Sequence, residues 1–343
     1  MLRIDSNQNS RLIIASCISL CMMSITTAVD RVYDKAGKNV SGKVVQTNSQ
    51  GLQLEKGGSN QTFEASNILK VLYEGDPPEL TKGREFALDG QYDQALAELK
   101  KVAFGAIKRD VIKADVAFYL VLCESKLALA GKAKKDEADS KARSFAGNFR
   151  DSWHFFDATR LLGDLALAQG DNAKALQYYS FLGKSRSADF KIESVYLQGL
   201  VHLKKGDNDS ALAEFEKVIG LKAQTTQTAR LQVMSKAGKA VGQARGGKPD
   251  DGLTLVKGLI AELNNTDIEM AARIYNAQGA CYEAKGDDEG AIHAYLHTHL
   301  MFSGQPDAHA DALKKLVVLW GKVGKPDRAA EARQELQARY PGA

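Results

Sequence analysis

A mainly α-helical solenoid of hairpin units, preceded by a small all-β unit, is the fold that this 343-residue chain predicts. Three observations carry it. A short pattern centred on a glycine recurs at near-constant spacing over the C-terminal three-quarters of the chain. Apolar residues in that region repeat with a period near 3.6, the helical value. Between Asp30 and Tyr73 they alternate instead, as they do in half-buried strands. Composition agrees, with only 6 prolines and a hydrophobic content of 44% that supports a large core. The formal charge of +4 is small for the length and gives no argument for nucleic acid.

Residues 1–28 have the form of an export signal. Arg3 and Arg11 supply the positive start, and Leu12 to Met23 is an apolar run too short to span a bilayer comfortably. Thr26, Thr27 and Ala28 are small residues suited to cleavage before Val29. An uncleaved membrane anchor is the alternative. A lipid-modified Cys17 is disfavoured, because most of the apolar stretch follows that cysteine. An exported chain is expected in the periplasm or cell envelope, with inner-membrane anchoring as the other possibility.

A small domain is expected over residues 29–75. Asn39–Thr47, Leu52–Lys56 and Gln61–Glu64 alternate as strands, separated by turns at Ser49-Gln50-Gly51 and Gly57-Gly58-Ser59. Ser66–Ile68 predicts a helical turn before a further strand at Leu69–Tyr73, and Val32–Asp34 predicts an edge strand. This order of short strands resembles a small SH3-like or Sm-like barrel. Fewer than 50 residues give a marginal core, so the unit is expected to pack on the first repeat and cap the array.

The prolines of Asp76-Pro77-Pro78 mark the boundary, and residues 79–343 form the helical domain of about seven units. Turn glycines fall at Gly90, Gly131, Gly170, Gly206, Gly247, Gly286 and Gly324, with gaps of 41, 39, 36, 41, 39 and 38 residues. Each is a natural stop for a first helix, because glycine accepts the left-handed backbone there. Seven residues earlier stand Gly83, Gly163, Gly199, Ala240 and Gly279; five residues later stand Ala95, Ala175, Ala211, Gly252 and Ala291. Nine later come Leu99, Tyr179, Phe215, Val256 and Tyr295, bulky enough to fill the space beyond a close helix contact. Asp171 and Asn172 are candidate caps for the helix after Gly170. The copy at Gly131 departs at Glu124, Asp136 and Ser140, and the copy at Gly324 is atypical, as terminal units often are. Charged, Ala-rich residues 131–150 predict an extended second helix.

This pattern resembles the tetratricopeptide repeat, a helix-turn-helix unit of about 34 residues. The resemblance covers Pro78 to the C-terminus and implies a right-handed α-solenoid. The period here is longer than the family's, which predicts longer loops or an extra helical turn per unit. The proline that commonly ends a unit is missing from most copies.

Motifs for catalysis are not found. There is no phosphate-cradling Gly-x-x-x-x-Gly-Lys-Ser/Thr and no Gly-x-Ser-x-Gly turn. Paired Asp250/Asp251 and Asp287/Asp288 fall at turns, where capping accounts for them. Cys123 and Cys281 lie in distant units, so two buried free thiols are expected and not a disulfide. His293 and His297 share a helical face and could hold a metal, with His299 or His309 as a third ligand. A solvent-facing polar surface is the simpler reading of that pair, and neither a metal nor a cofactor is expected. His154 and His202 are expected to pack or cap.

What the resemblance implies is binding. In the family the first helix of each unit lines a concave groove that receives peptides or helices. The register puts Asp157, Arg160, Asp164, Glu193, Tyr196, Lys204, Arg245, Arg273, Asn276, Lys314 and Lys322 on that lining, mixed in charge early and mostly basic late. The expectation is therefore a non-enzymatic, exported interaction scaffold with a protein or peptide partner. Its rivals are a metal- or ligand-binding accessory subunit of an envelope complex and a membrane-tethered scaffold.

Overall fold

The computed structural model describes residues 29–264 and 267–342. The expected export signal, with Cys17, lies outside these residues.

Five strands come first: β1 (Asp30–Asp34), β2 (Asn39–Asn48), β3 (Gly51–Lys56), β4 (Ser59–Glu64) and β5 (Ile68–Leu72), with one 3-10 turn at Ala65–Asn67 before the last. They form an antiparallel sheet in the order β4-β3-β2-β1-β5. The ten-residue β2 is shared, pairing with β1 through Asn39–Gly42 and with β3 through Lys43–Asn48. Gly42 sits at the hand-over, where a Cβ would lie 2.4 Å from the Glu55 carbonyl oxygen. One expectation fails here. The strand at Val32–Asp34 is not an edge, because β1 starts at Asp30 and lies between β2 and β5, with Val32 buried. The edges are β5 and the largely exposed β4, and no ladder joins them among the described residues.

Helices follow in pairs: α1 (Pro78–Leu88) with α2 (Tyr92–Leu99), α3 (Asp110–Leu129) with α4 (Lys135–Asn148), α5 (Phe155–Ala168) with α6 (Asn172–Leu182), and α7 (Ala188–Lys205) with α8 (Asn208–Ile219). Then come α9 (Thr226–Arg245) with α10 (Pro249–Ala261), α11 (Ile268–Lys285) with α12 (Asp288–Met301), and α13 (Pro306–Lys322) with α14 (Pro326–Arg339). Every pair turns on its expected glycine, and all seven have φ between +73° and +92°. Four second or first helices are capped by aspartate: Asp171, Asp207, Asp267 and Asp287 accept from the N–H groups of Lys174, Ser210, Met270 and Gly290. The long period comes from the first helices, which run to 20 residues in α3 and α9 and 18 in α7 and α11. The second helix after Gly131 is not extended. At 14 residues α4 equals α12 and α14, and the extra chain of that unit is in α3.

Within a unit the contact is glycine against a bulky side chain. A Cβ on Gly83 would meet Leu99 at 2.6 Å, on Gly163 would meet Tyr179 at 2.3 Å, on Gly199 would meet Phe215 at 2.7 Å, and on Gly279 would meet Tyr295 at 2.6 Å. Between units, α1 packs on α3, α3 on α5, α7 on α9, α9 on α11 and α11 on α13, while second helices sit between the first helices on either side. First helices thus converge and second helices splay, which curves the array with the first helices inside. The curl brings its end back to the second unit: Gly342 N–H donates to the Gly131 carbonyl at 3.1 Å, and Lys135 Nζ donates to the Gly342 carbonyl at 2.8 Å.

The sheet is joined to the helices by buried charge. Arg84 of α1 is wholly buried and meets Asp115 of α3 at 2.7 Å and Asp76 of the linker at 2.9 Å. His154 Nε2 lies 2.9 Å from the other Asp115 oxygen, and its ring is held between Phe118 and Trp153 at 3.7 and 3.6 Å. Asp30 of β1 pairs with Arg109 at 2.7 Å and accepts from the N–H groups of Val44 and Glu74 at 2.7 and 2.8 Å. Burial pushes the Asp30 carboxyl up, but Arg109 and the two backbone donors outweigh it and hold it below its ordinary value. Asp115 is likewise pushed up by burial and held down overall by Arg84 and His154.

Two outcomes follow from this packing. Gly163→Ala should cost about 1–3 kcal/mol in chemical denaturation, because the Tyr179 ring has nowhere to go, whereas Gly258→Ala, helical and with open space around it, should be neutral or stabilising by up to about 1 kcal/mol. Asp30→Ala should cost about 2–4 kcal/mol at neutral pH, since it removes the acceptor of the buried Val44 N–H and the part-buried Glu74 N–H and the carboxylate partner of Arg109. Because the folded pKa of Asp30 is depressed, its contribution is complete above the unfolded value of 3.8 and is lost as pH falls through the folded value. Denaturation of the two proteins should therefore converge below about pH 4, and a gap that persists in acid would contradict this assignment.

Candidate functional site

The inner wall is built by α3, α5, α7, α9, α11 and α13, and its polar residues stitch one unit to the next. Arg160 of α5 reaches Glu193 of α7 at 3.2 Å and Asp157 at 3.4 Å. Lys204 of α7 donates back to the Leu167 carbonyl at the end of α5. Arg245 of α9 donates to the Leu203 carbonyl of α7 at 3.3 Å. Arg273 of α11 pairs with Glu269 at 3.3 Å and Asp307 of α13 at 2.7 Å, and Asn276 donates to the Ala308 carbonyl at 2.9 Å. Lys322 reaches Asp288 at 3.4 Å and Lys314 reaches Asp311 at 3.8 Å. Asp164 accepts from the Tyr179 hydroxyl at 2.7 Å, while Tyr196 is buried with its ring tilted against Phe215.

Arg230, Glu269, Asp307 and Asp311 are wall residues that escaped the sequence reading. Arg230 of α9 binds Asp267 at 3.0 Å and Glu269 at 2.7 Å, so that Arg230, Glu269, Arg273 and Asp307 form a chain of alternating charge across three units. Arg230, Glu269 and Asp307 each stand seventeen residues before their turn glycine. That register exists only because the first helices are long, and it was the available signal. These acids also correct the expected basic later half, since Glu269, Asp307 and Asp311 share the wall with Arg273 and Lys314.

The electrostatics fit a narrow concave surface. Burial works against the Arg160 charge, yet Glu193, Asp157 and Asp164 raise its pKa overall. Arg273 behaves alike, with Asp307, Tyr196 and Glu269 outweighing burial. Burial pushes Asp307 up, but Arg273 and then Lys126 of α3 hold it below its usual value. Lys204 is lowered by burial and by Lys314 and Lys135, against the pull of Asp311.

Other expected residues fall as follows. Cys123 and Cys281 are buried free thiols pushed up to about 12 by burial, which suits packing and not nucleophilic chemistry. His202 Nδ1 lies 3.2 Å from the cap residue Asp207. His293 and His297 are both exposed, and His297 stacks on Tyr275 with centroids 4.5 Å apart. The histidines that do meet are His299 of α12 and His309 of α13, at 2.8 Å, beside Glu335 of α14. Among the described residues no helix is long and apolar enough to cross a membrane.

Comparison with known proteins adds the following. Residues 192–225, which hold most of α7 and all of α8, match the family model for the tetratricopeptide repeat. No curated protein matches the chain in sequence. A tetratricopeptide repeat protein from Parabacteroides merdae ATCC 43184 is similar in structure, with TM-score 0.51 and 16% identity over 76% of this chain and 91% of that one. A Rap protein complexed with competence and sporulation factor is similar with TM-score 0.54 and 14% identity, over 77% of this chain and 76% of that one. The matched repeat, the six further hairpins that turn on glycines in its register and these likenesses together identify the helical region as a tetratricopeptide-repeat fold, preceded by a small antiparallel β-sheet.

Proposed function

We propose that this protein is a non-enzymatic scaffold of the cell envelope that holds a protein or peptide segment against the inner wall of its repeat array. The observation that carries the reading is the wall itself. Its arginines and carboxylates are held in place by neighbours in the next unit while part of each side chain remains open, 31% for Arg160 and 33% for Arg273. A segment with its own carboxylates and amides can take over such bonds with little ordering cost to the protein. Support also comes from the likeness in fold to a Rap protein complexed with competence and sporulation factor. Placement in the envelope rests on the signal-like residues 1–28, and mass spectrometry of the processed N-terminus tests it. A start at Val29 supports export in free form, and an intact N-terminus favours a tether.

Capture of the tagged chain from its own envelope after mild cross-linking tests the binding role. The Arg160→Ala/Arg273→Ala variant should lose a dominant partner at least tenfold, and Lys257→Ala on the outer helix α10 should not. Both bridges are partly exposed, so each substitution should cost no more than about 1 kcal/mol of stability, which thermal melting checks. A partner retained undiminished by the double variant would place the binding site elsewhere.

A further inference from the structure

We propose that His299, His309 and Glu335 form a binding site for a divalent transition metal of the zinc class, one that ties the last three helices together. The three residues come from α12, α13 and α14, and one ligand atom from each lies within 4.8 Å of the other two. Two imidazoles and a carboxylate are a donor set that zinc accepts, with a fourth position left for water.

The distances suit a small ion. His299 Nδ1 and His309 Nε2 are 2.8 Å apart, and a Glu335 oxygen stands 3.9 Å from His309 Nε2. Zinc–nitrogen bonds of about 2.0–2.1 Å at a tetrahedral angle hold two nitrogens roughly 3.4 Å apart. The rings need to part by about half an ångström to admit the ion. His299 and Glu335 are 21% and 35% exposed, so they have the room to move and the ion has a way in.

His309 is the fixed point. It is wholly buried, and its Nδ1 lies 2.7 Å from the Tyr340 hydroxyl, itself buried. In the tautomer with hydrogen on Nδ1, His309 donates to the tyrosine oxygen and turns the Nε2 lone pair towards His299 and Glu335. An outer partner of that kind is what orients a metal-binding histidine. Two groups compete with an ion. The histidines share a hydrogen bond without it, and Arg339 donates to Glu335 at 3.2 Å. Arg339 is nearly half exposed and also donates to the Ser303 carbonyl at 3.2 Å, so it keeps a partner on release. The exposed pair His293 and His297 lies outside the cluster.

The site would matter most for α14, whose own buried residues are only Ala329 and Ala332. An ion bound to the folded array alone stabilises it by mass action.

The test uses the full chain stripped with EDTA. Zn2+ is titrated by calorimetry, and Co2+ by its visible absorption, which reports coordination geometry. One equivalent should bind, and Zn2+ should raise the melting temperature. His299→Ala and Glu335→Gln should each weaken binding at least tenfold and abolish the melting shift. Tyr340→Phe, which keeps the ring and removes the hydroxyl, should weaken binding about 10–100-fold. The His293→Ala/His297→Ala double variant should bind as the wild type does. Circular dichroism in EDTA checks that each variant is folded, and Glu335→Gln preserves shape where an alanine does not. No Zn2+ binding by the wild type, binding insensitive to both His299→Ala and Glu335→Gln, or binding lost only in the double variant would each overturn the proposal.

Discussion

The close approach of two helices over a glycine is the constraint on which the rest of the array depends. At Gly163, Gly199 and Gly279 the missing side chain is replaced by the ring of Tyr179, Phe215 or Tyr295 from the paired helix. The ring then does a second job. Tyr179 donates its hydroxyl to Asp164, the residue after the glycine, and Tyr295 donates to Glu283, four residues after its own. Phe215 has no hydroxyl to give and instead lies between glycines of two units, since a Cβ on Gly238 of α9 would meet it at 2.5 Å. That contact explains how the fifth unit, with Ala240 at the small position, still packs tightly. Inside that unit Gly252 makes the close contact, a Cβ there lying 2.5 Å from the Ala240 carbonyl oxygen, while Gly238 and Gly242 face the previous unit.

Close hairpins force the first helices together, and the inner wall inherits its chemistry from that crowding. Arginines there cannot stand unpaired beside one another, so the chain places a carboxylate on the next unit at nearly every one. Each bridge is partly open to water and contributes little alone. As a chain through Arg230, Glu269, Arg273 and Asp307 the bridges set the rotation of one unit on the next. A ligand carboxylate that engages Arg273 must displace Asp307, so its gain is the difference between two similar bonds. On the proposed binding role, such a wall would discriminate by the placement of charge more than by its amount.

How much of this was legible in the sequence depends on how local each cause is. The seven turns were visible because a left-handed residue at a helix end is almost always glycine, a demand of one position. The four close contacts were visible because their partners sit at fixed offsets, sixteen residues apart. The interior place of β1 was not, because strand order is decided by pairing between Val32 and Val71, nearly forty residues away. The inner wall was half legible. Offsets of ten and thirteen before the glycine found Arg160, Glu193 and Arg273, but the offset of seventeen lay beyond the helix length the family suggests. The histidine cluster was hidden by a decoy. His293 and His297 have the spacing that a single helix makes obvious, while His299, His309 and Glu335 meet only through the packing of three helices.

The first and the last of the seven described units are held to their neighbours by different chemistry. At the start, a sheet too small to hold itself is locked on by charge. Arg84 can be buried only while Asp76 from the linker and Asp115 from α3 are both in place, because an unpaired guanidinium in that position is strongly unfavourable. The ion pair therefore specifies one seating of the sheet, with Asp30 and Arg109 fixing the other corner. At the last unit, the buried residues of α14 itself are only Ala329 and Ala332. What holds it is Tyr340 under His309, and the return of Gly342 to the glycine turn of the second unit. That return makes the second unit, the copy with the poorest repeat pattern, the one on which the chain closes. Asp136, where the pattern has a small residue, lies near the turn at Gly131 that receives Gly342. Asp136 accepts from Gln169 there, and Gly131 offers its carbonyl to Gly342. The departures of that copy from the repeat pattern thus fall in the unit whose turn carries these extra contacts.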